Sequence, residues 1–228
     1  MTPLAAISSY GIVPTVEIKD PQLAVPLARA LLAGGLPVIE VTFRTEAAQD
    51  AVLRIAAEVA GVIVGAGTLI TAADVVAAAQ AGAVFGVSPG FARAASDQAL
   101  ELRLPFIPGC ATATEAMNCL SAGHSLVKLF PSNTVGGVRA ASALLEPLRT
   151  RGLQIMATGG ITPENLGDYL RVAGIVACGG SWIAPVDAID AQDWPAITER
   201  AAAAVAAVTA ARGSARPAAV LSSADRVG

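Results

Sequence analysis

Several features on which common protein classes depend are scarce in this sequence. Its 228 residues include one histidine, three cysteines and no Cys-x-x-Cys pair, and only 4% of the residues are aromatic. Zinc sites are built mainly from Cys and His side chains, so a zinc site of ordinary composition is excluded. We expect the three thiols to be small buried core residues and the lone histidine, His124, to cap a helix or face solvent.

Charge is scarce as well. Charged residues make up 14% of the chain and the net charge is −3. Nucleic-acid binding would need a basic face, and no block of like charge occurs. The mean hydropathy of +0.60 is high, yet no uncharged apolar run reaches the roughly 18 residues of a membrane span. The N-terminus shows no basic segment followed by an apolar one. We therefore expect no secretory signal and no membrane association, and a reducing cytoplasm as the compartment.

The chain does contain a regular alternation of short β-branched runs and Ala/Leu-rich stretches of helical period. The runs predict eight strands, at residues 13–18, 38–43, 62–68, 84–88, 105–108, 126–130, 154–158 and 175–178. Apolar strands separated by helices indicate a parallel sheet. Eight such units favour a single closed (β/α)8 TIM barrel over an open flavodoxin-like or Rossmann sheet. We expect this α/β barrel to span residues 1–212, followed by a flexible tail over 213–228.

Two predicted strands carry charges that a packed core would reject. In VIEVTFRT, side chains alternate between faces, so Glu40, Thr42 and Arg44 are expected to point into the barrel, with Arg44 at the rim. In LVKLFPSN, Lys128 shares a face with Phe130. Burial favours the neutral amine, which is the form that attacks a carbonyl. The alternative is a structural Lys128–Glu40 ion pair that fills the barrel, although such a pair would not need the arginine at the rim.

The other strand ends are rich in small residues, which let backbone approach a ligand closely. GAGT ends in Thr68, whose hydroxyl suits a substrate carboxylate or keto oxygen, and SPG contains Pro89, which can wall a pocket. Paired glycines after strands 7 and 8 indicate a phosphate site, because they expose backbone N–H groups beside helix N-termini. The residues of this phosphate end are Thr158, Gly159, Gly160, Gly180 and Ser181. Thr162 and Asn165 are expected to cap the following helix.

These motifs, taken in order, carry a family resemblance. They are GGLPVIEVTFRT, VGAGT, SPG, PGCATATE, VKLFPSNTVGG, TGGITPEN and GGSW. They resemble the aldolases of 2-keto-3-deoxy-6-phosphogluconate (KDPG) and of 4-hydroxy-2-oxoglutarate (KHG), and the likeness covers about residues 8 to 210. The resemblance implies a class I aldolase that needs no metal or cofactor. Such an enzyme cleaves KDPG, a phosphorylated 2-keto acid of the Entner–Doudoroff pathway, to pyruvate and D-glyceraldehyde 3-phosphate.

The resemblance also implies roles for individual residues. Lys128 would form the Schiff base, and Glu40 would be the general acid and base. Arg44 would bind the pyruvyl carboxylate with help from Thr68. The phosphate positions would be Gly159, Gly160, Gly180 and Ser181. Family members are commonly homotrimers.

The sequence departs from the usual family pattern at two places. Ser132 and Asn133 follow Phe130-Pro131 where the family reads Ala-Glu, and Met156-Ala157 replace Cys-Pro before Thr158. Both changes were expected to lie near the cavity mouth, so they leave the substrate open. KHG and the galactonate epimer of KDPG are alternative substrates. A phosphosugar isomerase or epimerase, or a non-catalytic barrel that binds a phosphometabolite, are alternatives of other classes.

Overall fold

The computed structural model describes residues 1–213, and the elements counted below refer to that range. Nine strands form one parallel sheet: β1 (Ile12–Val16), β2 (Val38–Thr42), β3 (Ile63–Gly67), β4 (Gly86–Val87), β5 (Phe106–Ile107), β6 (Gly109–Cys110), β7 (Leu126–Leu129), β8 (Gln154–Thr158) and β9 (Ile175–Gly180). The helices are α1 (Pro3–Tyr10), α2 (Ala24–Ala33), α3 (Ala48–Glu58), α4 (Ala72–Gln80), α5 (Arg93–Glu101), α6 (Ala113–Ser121), α7 (Gly137–Leu148), α8 (Pro163–Leu170), α9 (Val186–Asp190) and α10 (Trp194–Arg212). Short 3₁₀ turns occupy Pro21–Leu23 and Arg149–Arg151.

The sheet closes on itself through its fifth strand. The strand order is β5-β4-β3-β2-β1-β9-β8-β7-β6, so the two ends of the sheet are β5 and β6, which only Pro108 separates. Proline has no N–H to donate to a ladder, which explains the interruption. The carbonyl of Pro108 still accepts from Lys128 N at 2.8 Å. The predicted (β/α)8 TIM barrel is therefore confirmed, with its fifth strand in two pieces.

Local sequence explains where the helices begin. Thr71 and Asp74 form a capping box at the start of α4, and Thr112 and Glu115 form one at the start of α6. Thr162 and Asn165 cap α8 in the same way, as predicted. Each box satisfies N–H groups that the first helical turn leaves without a partner. These fixed starts place each helix directly after the loop that leaves its strand.

The lower half of the barrel interior, at the amino ends of the strands, is apolar. Its fully or nearly fully buried side chains come from α1, from the strands and from the residue before β4: Ile7, Val13, Val38, Phe85, Val87, Ile107, Leu126, Met156 and Ala177. Ile7 belongs to α1, a helix that the periodicity did not predict. This helix contacts β1, β2 and β9 and closes the lower end of the barrel.

The last helix is tied to the first at this same lower end. The guanidinium of Arg212 donates to the carbonyls of Ser8 and Ser9 at 2.8 and 3.0 Å, and also to that of Val176. Gly11 makes the contact possible, because a Cβ there would lie 2.7 Å from the guanidinium carbon. Of the predicted tail at 213–228, all but Gly213 lies outside the described residues. No helix in the described part of the chain has the length and apolarity needed to cross a bilayer.

Candidate active site

The carboxyl ends of the strands surround a cavity of about 190 Å³. Every candidate site residue except Gly180 lines it: Glu40, Arg44, Thr68, Pro89, Lys128, Phe130, Thr158, Gly159, Gly160 and Ser181. Four further residues complete the wall, namely Thr15, Thr42, Ile161 and Gly179. Thr15 could have been predicted from the sequence. It is the one polar residue within β1, and it lies beside Glu40 in the register of β1 and β2.

Lys128 and Glu40 form an ion pair at the cavity floor. Nζ of Lys128 lies 3.1 Å from Oε1 of Glu40, and the two side chains are 7% and 0% exposed. Nζ also lies 5.4 Å from the centre of the Phe130 ring. β2 and β7 turn these two side chains inward towards each other, as the alternation of strand faces predicted. A buried pair of this kind stabilises a fold only weakly, because both charges lose their hydration.

Glu40 keeps a free acceptor. Its Oε2 is buried and has no hydrogen-bond partner among the described protein atoms. Gly67 creates the space for the carboxylate, because a Cβ at that position would lie 2.1 Å from Oε1. Leaving a buried carboxylate oxygen without a partner is costly. Such a group is typical of a site that receives a ligand or a water molecule.

Arg44 lies at the cavity mouth, as expected, but beyond the strand that was predicted to carry it. β2 ends at Thr42, and Arg44 lies in the turn that follows, where its N–H donates to the Thr42 carbonyl. Its Nε donates to Oγ1 of Thr42 at 3.2 Å, and its Nη2 lies 3.1 Å from Oε2 of Glu17. A cation at the mouth is suited to an anionic group on a substrate.

Thr68 is held in an unusual backbone conformation. Its φ is +63°, which costs a β-branched residue on the order of 1–3 kcal/mol. The strained residue follows directly after β3, and its side chain lines the cavity. Pro89 faces the same space, and Gly109 lets it approach, since a Cβ on Gly109 would lie 2.2 Å from the Pro89 carbonyl.

The opposite wall is formed by the glycine pairs after β8 and at the end of β9. Gly159 and Gly160 have φ of +97° and +76°, and a Cβ on Gly160 would lie 2.4 Å from Cβ of Asn133. At the second pair the wall contains Gly179 and Ser181 and not Gly180. Oγ1 of Thr158, beside Gly179, is buried without a partner among the described residues. This wall therefore offers small residues, the hydroxyl of Ser181 and the buried, unpartnered hydroxyl of Thr158.

Other polar residues differ from their predicted positions. His124 is buried, not solvent-facing, and its Nε2 lies 2.7 Å from Oγ of Ser96. Ser132 is fully buried and donates to the hydroxyl of Tyr169 at 3.1 Å. Asn133 is exposed. Neither Ser132 nor Asn133 lines the cavity, so the expectation that they shape its mouth is not met.

The cysteines lie in the core, as expected. All three are free and buried, and burial raises the pKa of each thiol, Cys110, Cys119 and Cys178, to about 12. Protonated thiols are poor nucleophiles, and none of the three lines the cavity, whose lining residues include one amine, that of Lys128. Within residues 1–213, no three His, Cys, Asp or Glu side chains come together as a metal site would require.

Comparison with known proteins places this geometry in a family. A family model described as KDPG and KHG aldolase matches residues 5–200. The chain is 43% identical over 199 residues to a 2-dehydro-3-deoxy-phosphogluconate aldolase of Pseudoalteromonas atlantica, and 42% identical over 199 residues to a KHG/KDPG aldolase of Escherichia coli K12. Each alignment covers 87% of this chain and 92% of the relative.

A solved structure is similar over the same extent. It is a KDPG aldolase of Legionella pneumophila, in which pyruvate was captured at low pH as a covalent carbinolamine intermediate. It superposes with a TM-score of 0.85 at 35% identity and covers 90% of this chain and 98% of that one. The family-model match over residues 5–200 includes every strand that contributes to the cavity. The chain belongs to the KDPG and KHG aldolase family.

Proposed function

We propose that this aldolase cleaves KDPG to pyruvate and D-glyceraldehyde 3-phosphate through a Schiff base on Lys128. The observation that carries the proposal is the buried lysine at the cavity floor, 3.1 Å from a carboxylate that has a second, free oxygen. A lysine that only filled the barrel as half of an ion pair would not require Arg44 and Thr68 at one side of the cavity or the glycine wall at the other. Together these groups match a keto acid that is anionic at both ends.

The reaction begins with the lysine. Lys128 passes its ammonium proton to Glu40, and the amine adds to the C2 carbonyl of the keto acid. Glu40 returns that proton to the C2 hydroxyl, which leaves as water and gives an iminium. Glu40 takes the proton from the C4 hydroxyl, directly or through a water molecule. The electrons of the C3–C4 bond move into the iminium, which becomes an enamine, and the aldehyde leaves. Protonation of the enamine at C3 and hydrolysis of the iminium release pyruvate and restore the amine.

The two walls hold the substrate across this chemistry. Arg44 and Thr68 bind the carboxylate end, and Pro89 and Phe130 enclose the reacting carbons. The phosphate end is bound by Thr158, Ser181 and the backbone of Gly159, Gly160 and Gly179. Anchors at both ends leave the bond that breaks above Lys128, which is how orientation contributes to rate.

The cavity supports a phosphorylated substrate over KHG. KHG ends in a carboxylate and yields glyoxylate, so it would not need the small-residue wall of Gly159, Gly160 and Gly179. We expect kcat/KM to be highest for KDPG, followed by its galactonate epimer and then KHG. Measuring the three values on one enzyme preparation decides the order, and a preference for KHG would reassign the substrate.

The composition of the chain makes the Schiff base simple to test. The sequence contains two lysines, Lys19 and Lys128, and Lys19 lies at the rim in an exposed pair with Asp190. Borohydride added with pyruvate should reduce the iminium and attach the pyruvyl group to Lys128 alone. Lys128→Arg keeps a cation beside Glu40 but cannot form the imine, so it should take up no label and show no turnover, whereas Lys19→Arg should behave as the parent. An unlabelled Lys128 in active protein contradicts the mechanism.

The proposal includes two further properties. The resemblance implies a homotrimer, which light scattering on the eluting protein would test. Three free, buried thiols favour a reducing compartment, the cytoplasm.

A further inference from the structure

One charged group at the cavity mouth takes no part in the chemistry proposed above, the carboxylate of Glu17. Glu17 follows directly after β1, and its Oε2 lies 3.1 Å from Nη2 of Arg44. The Glu17 side chain is 26% exposed and that of Arg44 is 55% exposed. Glu17 does not belong to the cavity wall, whereas Arg44 does. The contact therefore reaches Arg44 from outside the cavity.

A second acceptor fixes the same guanidinium. Nε of Arg44 donates to Oγ1 of Thr42 at 3.2 Å, and that hydroxyl itself donates to the Val16 carbonyl at 2.9 Å. Nε and Nη2 form one edge of the planar guanidinium fork. Nε donates to Thr42 and Nη2 is paired with Glu17, so these two contacts leave the Nη1 side of the fork unoccupied. The free end of the fork is the part available to a ligand.

We infer that Glu17 is a positioning residue, which holds Arg44 ready for the carboxylate of the keto acid. The inference rests on the proposed function, because it requires Arg44 to bind that carboxylate. An arginine as exposed as this one would otherwise occupy several rotamers, and the substrate would have to order it on binding. With Glu17 in place the ordering is done before the substrate arrives. The contribution therefore belongs in KM and in pyruvate affinity more than in kcat.

The opposite effect is also physically available, which makes the sign informative. Glu17 is an anion near the site of an anionic substrate, and simple repulsion would weaken binding. Removing its charge would then lower KM. Positioning predicts a rise in KM, so a single measurement separates the two.

The test uses Glu17→Ala, with Glu17→Gln as the conservative variant. We expect Glu17→Ala to raise KM for KDPG, and the pyruvate concentration that half-saturates borohydride labelling of Lys128, by about threefold to tenfold, with a much smaller change in kcat. Glu17→Gln keeps an oxygen acceptor and should show a smaller rise; it also replaces Glu17→Ala if that variant does not fold. Asp190→Ala is the matched control, because it breaks the rim pair with Lys19, which lies outside the cavity wall.

A double-mutant cycle shows whether Glu17 acts through Arg44. Arg44→Ala should raise KM further than Glu17→Ala, and adding Glu17→Ala to it should change KM no further. An unchanged or lowered KM in Glu17→Ala and Glu17→Gln overturns the inference. So does an equal rise in the Arg44→Ala background. If parent protein takes up no pyruvyl label at all, the proposed function fails instead, which keeps the two outcomes distinct.

Discussion

The two halves of the barrel interior use the same strands for opposite purposes. On β2, Val38 belongs to the apolar lower cluster, and Glu40, two residues later, lies at the cavity floor. On β7, Leu126 and Lys128 repeat this step. Two residues along a strand are about 6–7 Å, so a packed core changes into a reactive site within one layer of side chains. The apolar side chains of the lower half pack against one another, whereas Oε2 of Glu40 in the upper half has no partner among the described residues.

This contrast indicates a division of labour. Burial of apolar groups stabilises the folded state, whereas burial of polar groups without partners destabilises it. The lower half should therefore carry stability with little influence on the reaction, and the upper half should carry the reaction with little benefit to stability. Substitutions in each half test whether stability and activity are separated in this way.

The largest effect is expected in the upper half, for Glu40→Gln. The amide keeps the size of the carboxylate and can still accept a hydrogen bond from Lys128, but it cannot take a proton. Loss of a general acid or base typically costs about 10²- to 10⁴-fold in rate, and we expect kcat for KDPG cleavage to fall by that factor. A variant that retains more than a tenth of the parent kcat would assign the proton transfer to another group.

The matching change in the lower half is Ile7→Ala in α1. Ile7 is fully buried against the apolar cluster, and truncating such a residue costs about 2–5 kcal/mol of unfolding free energy. Denaturant titration should show this loss, while kcat and KM stay near the parent values. Ile7→Val is the graded control and should cost about 0.5–1.5 kcal/mol. A large fall in kcat at full folding would mean that the two halves are coupled.

The smallest effect is expected from His124, which sharpens the comparison because it is buried, polar and satisfied. Burial lowers the pKa of His124 from its ordinary value of 6.5. The folded state therefore favours the neutral ring, and the unfolded chain takes up the proton first. Stability is complete above pH 6.5 and declines as the pH falls from there towards the folded pKa.

The measurement is the unfolding midpoint between pH 8 and pH 5 for the parent and for His124→Gln. The parent should lose stability across the lower part of this range, and the variant should lose less. Glu115 and Glu164, whose pKa values are lowered from 4.5 by hydrogen bonds, act at lower pH and do not confuse the comparison. Identical pH profiles would show that His124 is not the titrating group.

Much of the barrel and much of the site could be predicted from the sequence, because both depend on the alternation of side chains between the two faces of a strand. Period-two spacing placed Glu40 and Lys128 on inward faces, and charge in an apolar strand marked them as exceptional. It placed Arg44 less well, because the strand ends at Thr42 and the chain turns. Alternation gives no direction at paired glycines, which have no side chain. Gly180 was expected from the family resemblance, whereas Gly179 is the residue of that pair that lines the wall.

Features that depend on contacts between distant parts of the chain could not be predicted from local sequence patterns. α1 is short, and only the open end of the barrel explains why it buries Ile7. His124 is buried because Ser96, on another helix, supplies its partner at 2.7 Å. The contact between Glu17 and Arg44 likewise joins the ends of two strands that the sequence separates by a whole helix.

The clamp made by Arg212 has a consequence for how the gene can be altered. It gathers the first and last described helices on the face opposite the cavity mouth. Two helices that meet in this way offer a place where a domain can be attached or the barrel rejoined on the side away from the substrate. Arg212 is the last residue of α10, so a graft placed after Gly213 would preserve the clamp, whereas a truncation before Arg212 would release α1.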